Sequence, residues 1–147
     1  MKLVDPDETV VLVVGTTPAA DERDRPLADR IKGEIDRRGH GHSWRRAVIV
    51  SDQQYFTAEG LQRSTVIAIG GPGSNAAAAH FADRLNTMFG QEDRCWVQAD
   101  LESEPRKVSL WGVNSAATAE AVEAFLERGF LDDLLERIWR VRPGMVM

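Results

Sequence analysis

Three short apolar runs in the first half of the chain each end at glycine or at small polar residues. They cover residues 9–14, 47–50 and 65–69 and consist entirely of valine, isoleucine, leucine, alanine and threonine. Continuous runs of this kind are typical of strands that are covered on both faces of a sheet. We therefore predict three buried strands.

Helical patterns follow the first and the third of these runs. Residues 26–38 carry an apolar side chain at every fourth position and are followed by Gly39, which predicts one helix. Residues 74–89 also show helical spacing, which predicts a second helix ending near Phe89. Strands that alternate with helices along a chain form parallel sheets, so this part predicts a parallel α/β arrangement.

The pattern changes at residues 94–101 and 106–113, which both alternate between apolar and polar side chains. Only four residues join them, which is too short for a crossover between parallel strands, so they are predicted to form an antiparallel hairpin. A symmetric loop predicts its register by four cross-strand pairs: Asp100 with Lys107, Ala99 with Val108, Val97 with Leu110, and Trp96 with Trp111.

This hairpin also predicts where the next junction, residues 112–118, lies. A strand that returns antiparallel ends at the opposite edge of the sheet, so we expect this junction to share no pocket with the glycine loop at residues 70–73. Asn114 or Ser115 is expected to cap the helix that follows.

The C-terminal part predicts a helix from about Ser115, a break at Gly129 and a second helical segment over residues 131–139. Two apolar stripes run along these helices: Val122, Phe125, Leu126, Phe130, Leu134 and Ile138 in one, and Leu131, Leu135 and Trp139 in the other. The tail adds Val141, Met145, Val146 and Met147. Since one stripe is enough to dock a helix on its own sheet, the surplus predicts a homo-oligomer, most simply a dimer. The alternative is that a bend at Gly129 lets both stripes reach the core of the monomer.

These elements predict one α/β domain over residues 1–147. It would have three layers, with a mostly parallel sheet of about five strands, an antiparallel hairpin at 94–113, and helices on both faces. A chain of 147 residues with 43% hydrophobic and 28% charged residues is expected to fold into a globular domain. The net charge of −5 gives no reason to expect binding to nucleic acid or to a membrane surface, and the acidic start with a single cysteine favours a cytoplasmic protein.

The strongest candidate for chemistry is the glycine loop between the third strand and the helix after it. Glycines let a ligand approach the backbone closely, and the free N–H groups at a helix start attract anions. Parallel strands would bring the ends of the first and second strands to the same edge of the sheet. The candidate ligand-binding residues are therefore Gly71, Gly73, Ser74, Asn75, Thr16, Thr17 and Asp52. The alternative is a tight turn in which Ser74 or Asn75 caps the helix and no ligand binds, so an anion site requires that the N–H groups after Gly73 be free.

Other candidates carry less information. His40 and His42 have no carboxylate or thiol close in sequence and are expected in a solvated turn, and Cys95 is expected as a small core residue. Neither the dinucleotide fingerprint nor a phosphate-loop lysine is present, so no cofactor is predicted. Asp52 could act as an acid or base, but a single carboxylate at a strand end more often closes a turn.

Residues 66–126 resemble an α/β module of prokaryotic surface-layer proteins. The resemblance rests on the Gly70-Gly71-Pro72-Gly73-Ser74-Asn75 turn after a hydrophobic strand, and on a later strand ending at Gly112 before a helix with Thr118 and Ala121-Val122. That family implies a structural, self-associating module rather than an enzyme.

Three hypotheses follow for function. The leading one is a non-catalytic cytoplasmic α/β module that binds a small anionic ligand or a protein partner. The second is a small enzyme acting on a nucleotide or phosphate ester through the glycine loop, Thr16, Thr17 and Asp52. The third is a structural, self-associating unit of the kind that the resemblance implies.

Overall fold

The computed structural model describes residues 4–139, which form six strands and six helices. The strands are β1 (Val10–Val14), β2 (Ala47–Ser51), β3 (Thr65–Ile69), β4 (Asn86–Gln91), β5 (Cys95–Asp100) and β6 (Lys107–Gly112). The helices are α1 (Pro18–Arg38), α2 (Asp52–Thr57), α3 (Glu59–Gln62), α4 (Ala76–Phe81), α5 (Ser115–Glu127) and α6 (Phe130–Ile138).

All six strands belong to one sheet in the order β2-β1-β3-β6-β5-β4. The pairs β1–β2, β1–β3 and β3–β6 are parallel, whereas β5 runs antiparallel to both β6 and β4. The predicted α/β class with a mostly parallel sheet is confirmed, with six strands instead of about five.

Different helices pack against the two faces of the sheet. One face packs against α1, α5 and α6 and forms the larger core, which includes Leu12, Ile31, Ile67, Leu110, Phe125 and Leu134. The other face packs against α2 and α4 through a smaller core that includes Val11, Val13, Tyr55, Val66, Phe81 and Leu85. Because neighbouring residues of β1 and β3 point to opposite faces, their continuous apolar sequences satisfy both cores.

The predicted hairpin is confirmed with its register. All four predicted pairs are present, and the indole rings of Trp96 and Trp111 stack with their centroids 4.3 Å apart. The Trp111 Nε1–H also donates to Oε1 of Gln98 at 2.8 Å, which fixes one ring of the stacked pair against β5.

The predicted helix over residues 74–89 is wrong at its C-terminal end. Helix α4 ends at Phe81, whose carbonyl accepts the N–H groups of Arg84 and Leu85 and so closes a turn. Residues 86–91 then form β4, where Phe89 lies opposite Val97. The apolar residues here fit helical spacing as well as a strand, and pairing with β5 decides between them.

This extra strand also corrects the predicted position of the 112–118 junction. Strand β4 reverses the chain once more, so β6 runs parallel to β3 and ends at the same edge of the sheet. A Cβ placed on Gly71 would lie 3.7 Å from the carbonyl oxygen of Gly112, which shows how close the two junctions are. The expectation that they share no pocket is therefore wrong.

Helix α1 begins eight residues earlier than predicted, at Pro18 rather than Pro26. The side chain of Thr17 caps it by accepting the N–H of Ala20 at 3.2 Å, and Pro18 occupies the first turn, where no N–H is needed. Pro26 lies inside the helix. The structure thus adds two turns to the N-terminal end of α1, and they carry Asp24.

The two apolar stripes of the C-terminal helices are both used within the monomer. Phe125, Leu131, Leu134 and Leu135 are buried, and Leu126, Phe130, Ile138 and Trp139 pack partly buried against the same core. Gly129 has a left-handed backbone (φ +80°) and is the N-cap of α6, so it provides the predicted break. This matches the alternative for the stripes, and the homo-oligomer itself stays a prediction. The tail residues Val141, Met145, Val146 and Met147 lie outside the described residues.

Within residues 4–139, no helix has the length and apolar character needed to cross a membrane.

Candidate functional site

Thr16 and Asp52 meet at the carboxyl edge of the sheet, as the parallel strand order predicts. One carboxylate oxygen of Asp52 accepts a hydrogen bond from the Thr16 hydroxyl, and the other accepts the N–H of Ala76 at 2.7 Å. The Thr16 hydroxyl in turn accepts the N–H of Gln53 at 3.2 Å. Asp52 therefore ties the end of β1 and the start of α2 to the start of α4.

These hydrogen bonds stabilise the ionised form of Asp52. Burial is the largest single effect and acts to raise the pKa of the carboxyl, which is only 8% exposed. Donors from Ala76, Thr16 and Gln53 together outweigh it and hold the pKa below its ordinary value. With both oxygens engaged, this carboxylate is suited to holding loops together and poorly suited to transferring a proton.

Asn75 fills the crevice between the ends of β1 and β3. Its amide nitrogen donates to the carbonyl oxygens of Val13 and Ile69, both at 3.0 Å, and its amide oxygen accepts the N–H groups of Ala77 and Ala78. The residue is 1% exposed. The position where β1 and β3 diverge to helices on opposite faces is a common ligand site in open α/β sheets, and here the protein fills it with its own side chain.

The N–H groups at the start of α4 are consequently occupied. Asp52 takes the N–H of Ala76, and Asn75 takes those of the next two alanines. The N–H groups of Ser74 and Asn75 themselves donate to the carbonyl of Gly71. An anion at the start of α4, as the sequence predicts, would find no free N–H group there. Thr17 is likewise engaged, as the cap of α1.

An open cleft of about 440 Å³ lies on the other side of the glycine loop, where β3 and β6 end. Its walls come from α1, the glycine loop and the start of α5, through Arg23, Asp24, Gly71, Pro72, Gly73, Ser74, Trp111, Gly112, Val113, Asn114, Ser115 and Thr118. Three of the predicted residues, Gly71, Gly73 and Ser74, line this cleft. The other four, Thr16, Thr17, Asp52 and Asn75, do not.

The start of α5 has two unpaired N–H groups, and one of them belongs to Ser115, which lines this cleft. Asn114 caps the helix by accepting the N–H of Ala117 at 2.8 Å, and its carbonyl accepts the N–H of Thr118. The N–H groups of Ser115 and Ala116, which come before that of Ala117 in the helix, donate no hydrogen bond to any described residue. Unlike α4, this helix has 13 residues, so its start carries the partial positive charge of a full helix dipole.

Asp24 is the unexpected residue of the cleft. It is 3% exposed, and its Oδ2 atom has no hydrogen-bond partner. Burial raises the pKa of its carboxyl, and the neighbouring Arg23 guanidinium offsets this only in part. The sequence prediction missed it because the helix was predicted to start at Pro26. One pattern in the sequence could have indicated it: Asp24 is a charged residue four positions from both Ala20 and Ala28, on the side of α1 that is buried.

A larger cavity of about 610 Å³ lies at the opposite edge of the sheet. Several of its charged groups already have partners, since Arg45 pairs with Glu8 at 3.1 Å and Arg106 with Glu104 at 3.4 Å. We therefore favour the smaller cleft, where polar groups lack partners.

The remaining sequence candidates take the places expected of them. Cys95 is fully buried on β5, and His40 and His42 are exposed in the turn after α1. Across residues 4–139, no three His, Cys, Asp or Glu side chains come close enough together to hold a metal ion.

Neither a comparison with protein-family models nor a comparison with curated proteins finds a match to this chain.

Proposed function

We propose that this chain is a non-catalytic α/β module that binds a small anionic molecule in the cleft between α1, the glycine loop and α5. The observation that carries the proposal is the unpartnered N–H group of Ser115, which lines the cleft at the start of a long helix, with the unpartnered N–H group of Ala116 next to it in the chain. Such groups hydrogen-bond anions directly, and the helix dipole favours negative charge at the same place.

Three further features support an anionic ligand. The exposed Arg23 lies at the cleft and supplies a positive charge. Gly71 and Gly73 add no side chain to the opposite wall, and a Cβ placed on Gly73 would meet no atom within 4 Å. A volume of about 440 Å³ is ordinary for a small-molecule site, and open α/β sheets bind ligands at this edge.

The competing hypotheses have less support. The enzyme hypothesis assigned Asp52 as acid or base, but both of its oxygens accept hydrogen bonds from the protein. The self-associating module implied by the surface-layer resemblance draws no support from the C-terminal stripes, which are packed into the monomer. We favour a small ligand over a protein partner because the cleft is concave, and we retain a cytoplasmic location as part of the proposal.

Two variants at Ser115 test the proposal. Ser115→Pro removes one N–H group at the first helical position, where proline is well tolerated, and the extended backbone of Asn114 suits a following proline. Ser115→Ala is the matched control, because it removes the hydroxyl and keeps the N–H. Thermal unfolding and calorimetric titration with inorganic phosphate, against sodium chloride at equal ionic strength, measure binding.

We expect phosphate to bind the wild type and Ser115→Ala similarly, and Ser115→Pro roughly 10-fold or more weakly, since a hydrogen bond to a charged group is lost. Equal phosphate affinity in the two variants would contradict the assignment of the anion to α5. A phosphate effect no larger than that of chloride would contradict anion binding altogether.

A further inference from the structure

We infer that Asp24 selects the ligand: the bound molecule carries a hydroxyl group next to its anionic group, and that hydroxyl donates a hydrogen bond to the Asp24 carboxyl. The inference rests on the proposed function and narrows the ligand from any small anion to a hydroxylated organic anion.

The fold itself makes no use of the Asp24 carboxyl. The residue lies four positions from both Ala20 and Ala28, which are buried like Asp24 on the face of α1 that packs against the sheet. Its carboxyl forms no ion pair or hydrogen bond with any described residue, and the adjacent Arg25 pairs with Asp21 instead. A buried carboxyl without a partner destabilises a folded protein, so its presence in a cleft points to a partner that comes from outside.

The backbone directly after β3 leaves space for this carboxyl. Gly70 has φ +115°, a conformation that residues with a side chain rarely adopt. A Cβ at this position would lie 2.4 Å from Oδ2 of Asp24. The strand end therefore leaves room for the carboxyl, which a purely apolar packing between α1 and β3 would not need.

The chemistry of the two ends of the cleft defines the ligand. The start of α5 and Arg23 offer hydrogen-bond donors and positive charge, which suit a phosphate or carboxylate. Asp24 offers acceptor oxygens, which suit a hydroxyl group. A metal ion is a poor alternative partner, because no cluster of three metal-ligating side chains occurs within residues 4–139. A polyol phosphate or a small hydroxy acid satisfies both ends.

Matched pairs of ligands test this selection on the full chain. Glycerol 3-phosphate is compared with propyl phosphate, and L-lactate with propionate, because each pair differs only in hydroxyl groups. Calorimetric titration measures the dissociation constants for the wild type, Asp24→Asn and Asp24→Ala. The alanine variant removes both acceptor oxygens, and the asparagine variant keeps one oxygen and nearly the same shape.

We expect the wild type to bind the hydroxylated member of at least one pair roughly 10-fold or more tightly than its partner. The preference should be reduced in Asp24→Asn and lost in Asp24→Ala, while both variants bind propyl phosphate or propionate at least as tightly as the wild type does, because a negative charge is removed from the cleft. The pair that shows the preference identifies whether the anionic group is a phosphate or a carboxylate.

The contrary results are distinct. Equal binding within both pairs by the wild type overturns the selection by Asp24 and leaves the proposed function standing. A preference that persists in Asp24→Ala overturns the role of this residue. No binding of any of the four compounds overturns both the inference and the proposed function.

Discussion

Gly70 and Asp24 are fitted to each other at the end of β3, where an added Cβ on the glycine would come within 2.4 Å of the carboxylate oxygen Oδ2. Gly70 directly follows β3, a strand that the apolar pattern predicts. Asp24 belongs to the first two turns of α1, which the apolar pattern does not predict. Asp24 lines the cleft, so its close approach to Gly70 links the stability of the fold to the candidate site.

Gly70→Ala should destabilise the protein by about 2 kcal/mol or more, because the side chain both strains a left-handed backbone and displaces Asp24. Urea-induced unfolding measures the change. Gly73→Ala is the control and should have little effect, since its Cβ would enter open space. A Gly70→Ala variant as stable as the wild type would contradict the close fit.

Asp24→Asn should stabilise the ligand-free protein at pH 7 by roughly 1 kcal/mol, because it removes a carboxyl that is costly to bury in its charged form. The folded protein raises the pKa of Asp24 above its ordinary value of 3.8, so it binds the proton more tightly than the unfolded chain. The free energy of unfolding of the wild type therefore falls as the pH rises from 3.8 to the raised pKa of the folded protein. The excess stability of the variant should shrink as the pH falls toward 3.8. Unfolding free energies measured across this pH range would contradict the account if Asp24→Asn were the less stable protein at neutral pH.

Asp52→Asn should have the opposite effect and cost about 1–3 kcal/mol at pH 7, because an amide NH₂ replaces one of two accepting oxygens. The pKa of Asp52 is lowered in the folded protein, so its stabilisation is fully present above the ordinary value of 3.8 and is lost as the pH falls through the folded pKa. The cost of the substitution should therefore decrease in acid. If Asp52→Asn lowered the free energy of unfolding by the same amount from pH 7 to pH 3, the charge of the carboxylate would have no part in joining β1, α2 and α4.

Leu134→Ala tests how the C-terminal helices are used. Because Leu134 is fully buried in the core of the monomer, its truncation should lower the free energy of unfolding by about 2–5 kcal/mol. The mass of the folded protein in light scattering should be the same as that of the wild type. A variant that keeps its stability but changes its oligomeric state would support the dimer interface predicted from the two stripes.

The hydrophobic pattern was sufficient to predict most of the sheet. The bounds of β3 follow from its continuous apolar run, and the hairpin register follows from local alternation and from the four-residue loop. Strand β4 could not be predicted in this way, because Met88 and Phe89 suit a helix as well as a strand, and the choice depends on pairing with β5. The direction of β6, and with it the meeting of the two junctions, depends on that one strand.

The candidate site could be predicted only in part. The strand ends do bring Thr16, Asp52 and Asn75 together, but a sequence does not show that their polar atoms are used on one another. The free N–H groups lie instead at the start of α5. The sequence pattern predicts that start at the opposite edge of the sheet, because it predicts the wrong direction for β6. The sequence pattern does not point to Asp24, because Pro26 is interpreted as the start of the helix although it lies inside α1.

The position of the bound anion is the central claim, and chemical shifts of backbone amides during a titration with glycerol 3-phosphate test it most directly. Two helix starts compete in this measurement, one at Ser115–Ala116 and the other at Ala76–Ala77. We predict that the largest shifts occur at Ser115 and Ala116, with Gly71 and Gly73 also affected and the alanines of α4 unchanged. Largest shifts at Ala76 and Ala77, or no shifts at any of these amides, would contradict the account.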